Sequence, residues 1–283
     1  MLARVNVGSG QIKKKGGSMS STEEKTTEND QLPVQQHPSH RRGIYLLPNL
    51  LTTAALFAGF YSIVLSMNGS FVRAAMAIFV AQILDGMDGR VARMTHTQSE
   101  FGAQYDSMSD NLAFGVAPAI LVYQWSLHSL SNLGWVAAFI FVAGAALRLA
   151  RFNTQINTVD KKFFVGLASP AGAGVLWAMV WALGQKGVEG ESVAWLMVII
   201  VPLIGAMMVS PIRYYSFKDL SDKGRVPFVV LLLSIMVIAV IALDPGPVLL
   251  AFAVTYALSG PVFEVWRRLR LYKNARKVES GDD

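Results

Sequence analysis

Four aspartates, Asp85, Asp88, Asp106 and Asp110, punctuate the stretch DGMDGRVARMTHTQSEFGAQYDSMSD in an otherwise strongly apolar chain. Asp85 and Asp88 are three positions apart and Asp106 and Asp110 four apart, so each pair shares one face of a helix. Read as helix, loop, helix, the spacing lets two helix ends converge four carboxylates on one point. An uncompensated charge at membrane depth costs roughly 2.5–3.5 kcal/mol on the insertion scale, so four together need a counter-charge. Oxygen-only donors select hard divalent cations, Mg²⁺, Mn²⁺ or Ca²⁺, over zinc or copper. The competing reading has two helix ends dipping into cytosol with solvated acids.

Four carboxylates exceed what one magnesium ion takes from protein, since it keeps waters and substrate phosphates. Two ions, roughly 3.5–4 Å apart, use them better. Gly89 and Gly102 remove side chains beside the acids, which fits close approach by a bulky phosphorylated ligand. Each glycine taken alone could equally ease helix packing. Arg93 lies one turn beyond Gly89, where a guanidinium can neutralise a phosphate or brace an aspartate. Together these residues predict metal-assisted chemistry on a pyrophosphate, with the metals and Arg93 taking up charge on the leaving group.

The elements that position these residues are membrane helices. The chain has 283 residues, 53% of them hydrophobic, a composition suited to a polytopic all-α membrane bundle. Cysteine is absent, which excludes disulfides and thiolate metal sites. The histidines, His37, His40, His96 and His128, lack a ligand-rich context for zinc and are expected on loops or surfaces. The net charge of +6 arises beside apolar spans and so points to anionic lipid head groups rather than nucleic acid. Residues 1–40 are polar and without periodic apolar positions, predicting a disordered tail. No apolar stretch precedes residue 43, so no cleaved signal peptide is expected.

Eight apolar spans are predicted near 44–67, 72–94, 102–128, 133–154, 166–184, 193–210, 226–243 and 247–264. They make up a catalytic membrane domain over 41–265, followed by a basic-then-acidic tail over 266–283. Arg90, Arg93, Arg148, Arg151, Lys161, Lys162, Arg213, Lys218, Lys223 and Arg225 fall at one set of span ends, against Arg73 and Lys186 at the other. The positive-inside rule makes the first set cytoplasmic, together with both termini and the four aspartates. The stretch Ser210–Arg225 is too polar to span and is expected as a cytoplasmic loop with interfacial Tyr214 and Tyr215.

Asp85, Asp88, Gly89, Ala92, Arg93, Gly102, Asp106 and Asp110 reproduce the pattern D-x2-D-G-x2-A-R-x8-G-x3-D-x3-D without a gap error. By this signature the chain resembles the CDP-alcohol phosphatidyltransferases, integral membrane enzymes that move a phosphatidyl group from a CDP-linked lipid to an alcohol and release CMP. The segments RRGIYLLPNLLTT at 41–53, RFN at 151–153, FFVGLASPAGAG at 163–174 and MVSPIRYYSFKDL at 208–220 are similar to the bacterial members that use serine. The likeness covers roughly residues 41–220; that pattern has proline where Ala168 stands.

The resemblance implies that Asp85, Asp88 and Asp106 ligate two Mg²⁺ or Mn²⁺ ions, and that Asp110 approaches the metals and acts as general base. It implies that Gly89, Ala92 and Arg93 bind the cytidine diphosphate portion, with Ser99 nearby. Pro48, Asn49 and Thr52 at the start of the first span would also lie near the nucleotide, although the two polar residues could instead cap a helix. The substrates implied are CDP-diacylglycerol and L-serine, the setting a bacterial inner membrane, and the partners membrane lipids and a second copy of the chain in a homodimer. From position alone, Arg148 or Arg151 is expected to meet the serine carboxylate or the lipid phosphate; a positive-inside flank touching head groups is the alternative. Ser169–Pro170, Tyr214, Ser216 and Lys218 mark the subtype without a derivable role. Two rivals share the acids. One is the same chemistry on glycerol 3-phosphate or inositol phosphate, which should need a denser basic pocket; the other is a cation-coupled transporter, which gives no reason for Gly89, Arg93 and Gly102.

Overall fold

The chain builds long helices wherever apolar residues run without interruption, as seen in a computed structural model that describes residues 46–155, 163–215 and 228–280. Helices α1 (Leu46–Met67) and α2 (Phe71–Met94) form a tightly packed pair. Helix α3 (Glu100–Asp110) runs through a π-helical turn (Asn111–Val116) into α4 (Ala117–Trp125). Then come α5 (Asn132–Gln155), α6 (Ser169–Gln185), α7 (Ala194–Val209), α8 (Phe228–Leu243) and α9 (Pro245–Ser280). Each predicted span has a helical counterpart, α3 to α4 together serving for the third. The polar tail expected over 1–40 lies outside the described residues, as do His37 and His40.

Four of these helices are long and apolar enough to cross a membrane: Leu47–Met67, Asn132–Thr154, Gly190–Val209 and Pro245–Arg270. The remainder fall short for visible reasons. Helix α2 carries Asp85, Asp88, Arg90 and Arg93 within its last three turns, while α6 and α8 have 17 and 16 residues. Helix α9 does not stop at the expected boundary near 264 but continues unbroken to Ser280, carrying the basic segment as helix.

Packing follows the logic of a bilayer, where lipid tails are as apolar as leucine and small residues let helices approach. Helices α5 and α7 cross at Gly144 and Gly205: a Cβ added at Gly144 would stand 2.5 Å from the Gly205 carbonyl oxygen. The innermost layer joins Ile78 of α2, Phe114 of the π turn, Leu121 and Val122 of α4, Phe141 of α5, Leu176 of α6 and Met197 of α7, all fully buried. Phe57, Phe60, Phe139, Ile199 and Leu203 point outward. An apolar exterior of that kind suits lipid rather than water.

The fold is all-α as expected, and two three-residue strands accompany the helices. Phe163–Val165 (β1) pairs antiparallel with Arg213–Tyr215 (β2), Phe164 opposite Tyr214. Gly166 follows with φ of +85°, a left-handed conformation in which a side chain would strike the Met208 carbonyl. Its N–H donates to the Ile212 carbonyl at 2.8 Å, so the start of α6 is tied to the end of α7. Ala168 has φ of −62° and ψ of 136°, the region proline occupies, so its departure from the family pattern leaves the backbone course intact.

Tyr214 corrects a second expectation. It is not interfacial but 1% exposed, its hydroxyl donating to the Ala257 carbonyl of α9 at 3.1 Å. The absence of a side chain at Gly260 makes room for its ring. Burial, with Tyr256 alongside, pushes the Tyr214 phenol up to about 12, so it remains a neutral donor at any physiological pH.

The glycine crossing predicts a measurable asymmetry. Gly144→Leu should lower the melting temperature in detergent by several degrees, since overpacking costs about 1–3 kcal/mol. Gly86→Ala, where an added Cβ meets nothing within 4 Å, should leave it unchanged or raised.

Candidate functional site

The loop between α2 and α3 sets the geometry of the site. Helix α2 ends in a Schellman turn: the Thr97 N–H donates to the Ala92 carbonyl at 3.1 Å and the His96 N–H to the Arg93 carbonyl at 3.4 Å. His96 occupies the left-handed position with φ of 52°, where glycine or asparagine is usual. Three residues later Ser99 caps α3, its hydroxyl accepting from the Gly102 N–H at 3.0 Å. With both helix ends satisfied, the short loop turns α3 back beside α2, and the two aspartate pairs meet.

Asp85, Asp88 and Asp106 each present a carboxylate oxygen within 4.8 Å of the others. Asp110 lies outside that trio, its carboxyl within hydrogen-bonding reach of Asp85. Among the described residues none of the four forms an ion pair. Asp106 Oδ1 is buried with no hydrogen-bond partner. An orphaned anionic oxygen beside two further carboxylates fits a hard divalent cation, because burying such oxygens without one would be strongly unfavourable. The trio could therefore hold a metal ion.

Asp88 is the most buried of the four, and α1 holds it. The Thr52 hydroxyl donates to Asp88 Oδ2 at 2.6 Å, with the Pro48 carbonyl as its alternative acceptor at 3.1 Å. Ser109 of α3 donates to the Thr52 carbonyl at 3.3 Å, and Thr53 meets the Tyr105 hydroxyl at 2.9 Å. Helix α1 is thus stitched to α3 on either side of the acid that it orients.

A cleft of about 290 Å³ opens beside the acids, lined by Pro48, Asn49, Thr52, Asp88, Gly89, Ala92, Arg93, Ser99 and Asp106. All seven residues expected at the nucleotide are in that lining. A Cβ at Gly89 would meet nothing within 4 Å, so this glycine leaves the cleft floor open. Gly102 serves differently: a side chain there would crowd Ser99 Oγ at 3.1 Å and Asn49 Oδ1 at 3.4 Å. Arg93 is exposed at the rim and makes no ion pair among the described residues. Thr97, Gln98 and Ala103 complete the wall. Sequence reasoning passed over these three, although the short loop between the two halves of the signature was the place to look.

The two basic candidates of α5 separate. The Arg151 guanidinium donates to the Val209 carbonyl at 3.0 Å, bracing the end of α5 against the end of α7. Arg148 donates to Ser169 Oγ at 2.9 Å and lies within electrostatic reach of Asp110 and Tyr256. His128, expected at the surface, faces Glu191 at 3.4 Å with both side chains exposed.

The CDP-alcohol phosphatidyltransferase family model matches residues 45–210, and the chain belongs to this family. It is 37% identical over 217 residues to the CDP-diacylglycerol–serine O-phosphatidyltransferase of Helicobacter pylori (strain ATCC 700392 / 26695), covering 76% of this chain and 90% of that one. It is 31% identical to the protein of the same name from Mycobacterium leprae, covering 79% and 76%. The archaetidylserine synthase of Methanothermobacter thermautotrophicus is 35% identical over 171 residues, covering 59% of this chain and 69% of the relative.

The Thr52–Asp88 contact gives a test of how the site is held together. Thr52→Val keeps the shape and removes the hydroxyl, and should weaken Mn²⁺ binding in calorimetric titration by about 10–100-fold. Thr52→Ser should bind as the parent does.

Proposed function

We propose that the chain transfers the phosphatidyl group of CDP-diacylglycerol to the hydroxyl of L-serine, yielding phosphatidylserine and CMP. The observation that carries this reading is the cleft that abuts the acid cluster and contains all seven residues expected at the cytidine diphosphate. The names borne by the relatives from Helicobacter and Mycobacterium support serine as acceptor.

In this reading Asp85, Asp88 and Asp106, with Asp110 beside them, hold two Mg²⁺ or Mn²⁺ ions. When bound, the metal supplies Lewis acidity to the phosphoryl oxygens and offsets charge on the departing nucleotide. Gly89 and Ala92 let the diphosphate approach α2, and Arg93 at the rim neutralises it. Ser99 and the α1 residues Pro48, Asn49 and Thr52 form the opposite wall. Asp110 takes the proton of the serine hydroxyl as its oxygen attacks the phosphorus bearing diacylglycerol. CMP leaves in line. With no cysteine and no serine–histidine pair at the site, a single displacement is favoured, and the configuration at phosphorus inverts.

The same reading makes the helices an eight-span bundle in a bacterial inner membrane. Both termini, the acid cluster and most basic span ends face the cytosol. Residues 1–40 would be a polar tail, 41–265 the catalytic domain and 266–283 a cytoplasmic extension, with two copies forming a homodimer.

Purified protein supplied with CDP-diacylglycerol should release CMP with L-serine and not with glycerol 3-phosphate or inositol phosphate. Release with a phosphate-bearing acceptor alone would assign another alcohol. Uptake into sealed vesicles without CMP release would assign transport. Asp110→Asn should reduce turnover at least about 100-fold, the lower range for a positioned base, while sparing CDP binding. Substantial turnover in that variant would remove Asp110 from the role of base.

A further inference from the structure

Helix α9 contains a break in its own hydrogen bonding, and β2 repairs it. Pro261 lies inside the helix. A proline there has no N–H, so the carbonyl four residues back, that of Ala257, loses its helical partner. Ala257 is buried, and a buried carbonyl without a donor is costly. The Tyr214 hydroxyl donates to this same carbonyl at 3.1 Å. Gly260, the residue before the proline, lets the ring come that close, since an added Cβ would strike three of its carbons. One turn of α9 thus holds a helix breaker, a glycine recess and a carbonyl that takes its donor from another element. The Ser259 hydroxyl, donating to the Tyr256 carbonyl at 2.7 Å, belongs to the same local adjustment.

Packing changes at the same point. Among the described residues of α9, Ala257 and Gly260 are the last buried ones. From Val262 to Arg270 every residue is exposed except the partly buried Glu264 and Arg267. The bundle therefore steers α9 only as far as the proline. Beyond it the polar contacts are local: Arg267 and Arg268 share Glu264 at 2.9 and 3.1 Å, and Arg270 stacks on Trp266 at 3.8 Å. Sharp kinks in helices fall at such prolines, so the angle of the distal part is set at the turn that Tyr214 grips.

We infer that Pro261 is a hinge in α9 and that Tyr214 is its latch, supplying the donor that proline withholds. The latch is carried on the two-stranded ribbon: Tyr214 pairs with Phe164 across β1 and β2, and Gly166 just beyond β1 is bonded to the Ile212 carbonyl. The direction of the distal part of α9 thereby follows the ribbon as well as the span from which it grows. A shift of the ribbon would release the Ala257 carbonyl and let the distal part lean at the proline. That part bears Arg267, Arg268 and Arg270, and cationic side chains at a membrane surface attract anionic head groups. The latch therefore sets where this charge meets the surface, whichever alcohol the site accepts.

The test is a double-substitution cycle on the full chain, with two readouts. One is the melting temperature in detergent; the other is the motion of a nitroxide attached at Asn274→Cys, the sole thiol because the chain has no cysteine. Tyr214→Phe keeps the ring in the Gly260 recess and removes the donor. It should lower the melting temperature by several degrees, as expected for a buried carbonyl left unpaired, and the nitroxide should tumble faster. Pro261→Ala restores a backbone N–H to the Ala257 carbonyl. In that background Tyr214→Phe should lose most of its effect on both readouts, the coupling that a shared acceptor requires. Equal losses in the two backgrounds would make Tyr214 a packing residue and overturn the inference. A lower melting temperature with the label unmoved would show a bond that steadies the span without governing the distal part, and would overturn it too, as would no loss at all. If Tyr214→Phe alone does not fold, recovery of folded protein in the doubly substituted chain supports the latch and continued failure overturns it.

Discussion

The structure is governed by the repulsion among four carboxylates brought to one place inside an apolar helical bundle. Two helix ends supply them, and no described lysine or arginine forms an ion pair with any of them. Burying them together is costly without a positive charge, so the cluster is one that could hold a metal ion. The surrounding parts fall into order from that constraint. Thr52 fixes the most buried acid, Arg93 stands at the mouth of the cleft, and Arg148 ties the end of α5 to the start of α6 through Ser169.

Holding such a cluster requires a scaffold that does not relax away from it. The Schellman turn after α2 and the serine cap of α3 leave little freedom in the connection between the two acid pairs. Immediately past Asp110 the helix widens into a π turn, a feature that often accompanies functional sites. Glycines at the α5–α7 crossing bring Arg148 and Arg151 close to the ends of α6 and α7, where their two guanidinium groups take different partners. The tie from Gly166 to Ile212 and the seating of Tyr214 on α9 fasten the same end of the bundle.

Much of this was legible before the fold was known, and the boundary of legibility has a physical cause. Long apolar runs mark helices because membrane backbone must satisfy itself within the segment, so the helical series was readable from composition. The aspartate convergence was readable because spacings of three and four residues impose a common helical face. The cleft wall was readable through the family signature and the Pro48–Thr52 segment. What escaped depends on contacts distant in sequence. Nothing near Tyr214 announces that Gly260 makes room for its ring, and nothing near Arg148 announces Ser169. The β1–β2 pair escaped for the same reason, since three-residue strands carry no periodicity. Thr52 was expected near the nucleotide, and its hydroxyl rests on Asp88, a partner 36 residues away that one-dimensional patterns do not announce.

The central claim is that the clustered acids exist to gather divalent cations for a nucleotide-linked lipid. The most direct measurement is anomalous diffraction from crystals grown with Mn²⁺ and CDP-diacylglycerol. The account predicts manganese peaks among the oxygens of Asp85, Asp88 and Asp106, with the diphosphate between them and Arg93. A nucleotide seated in the cleft with no manganese among those oxygens would contradict it.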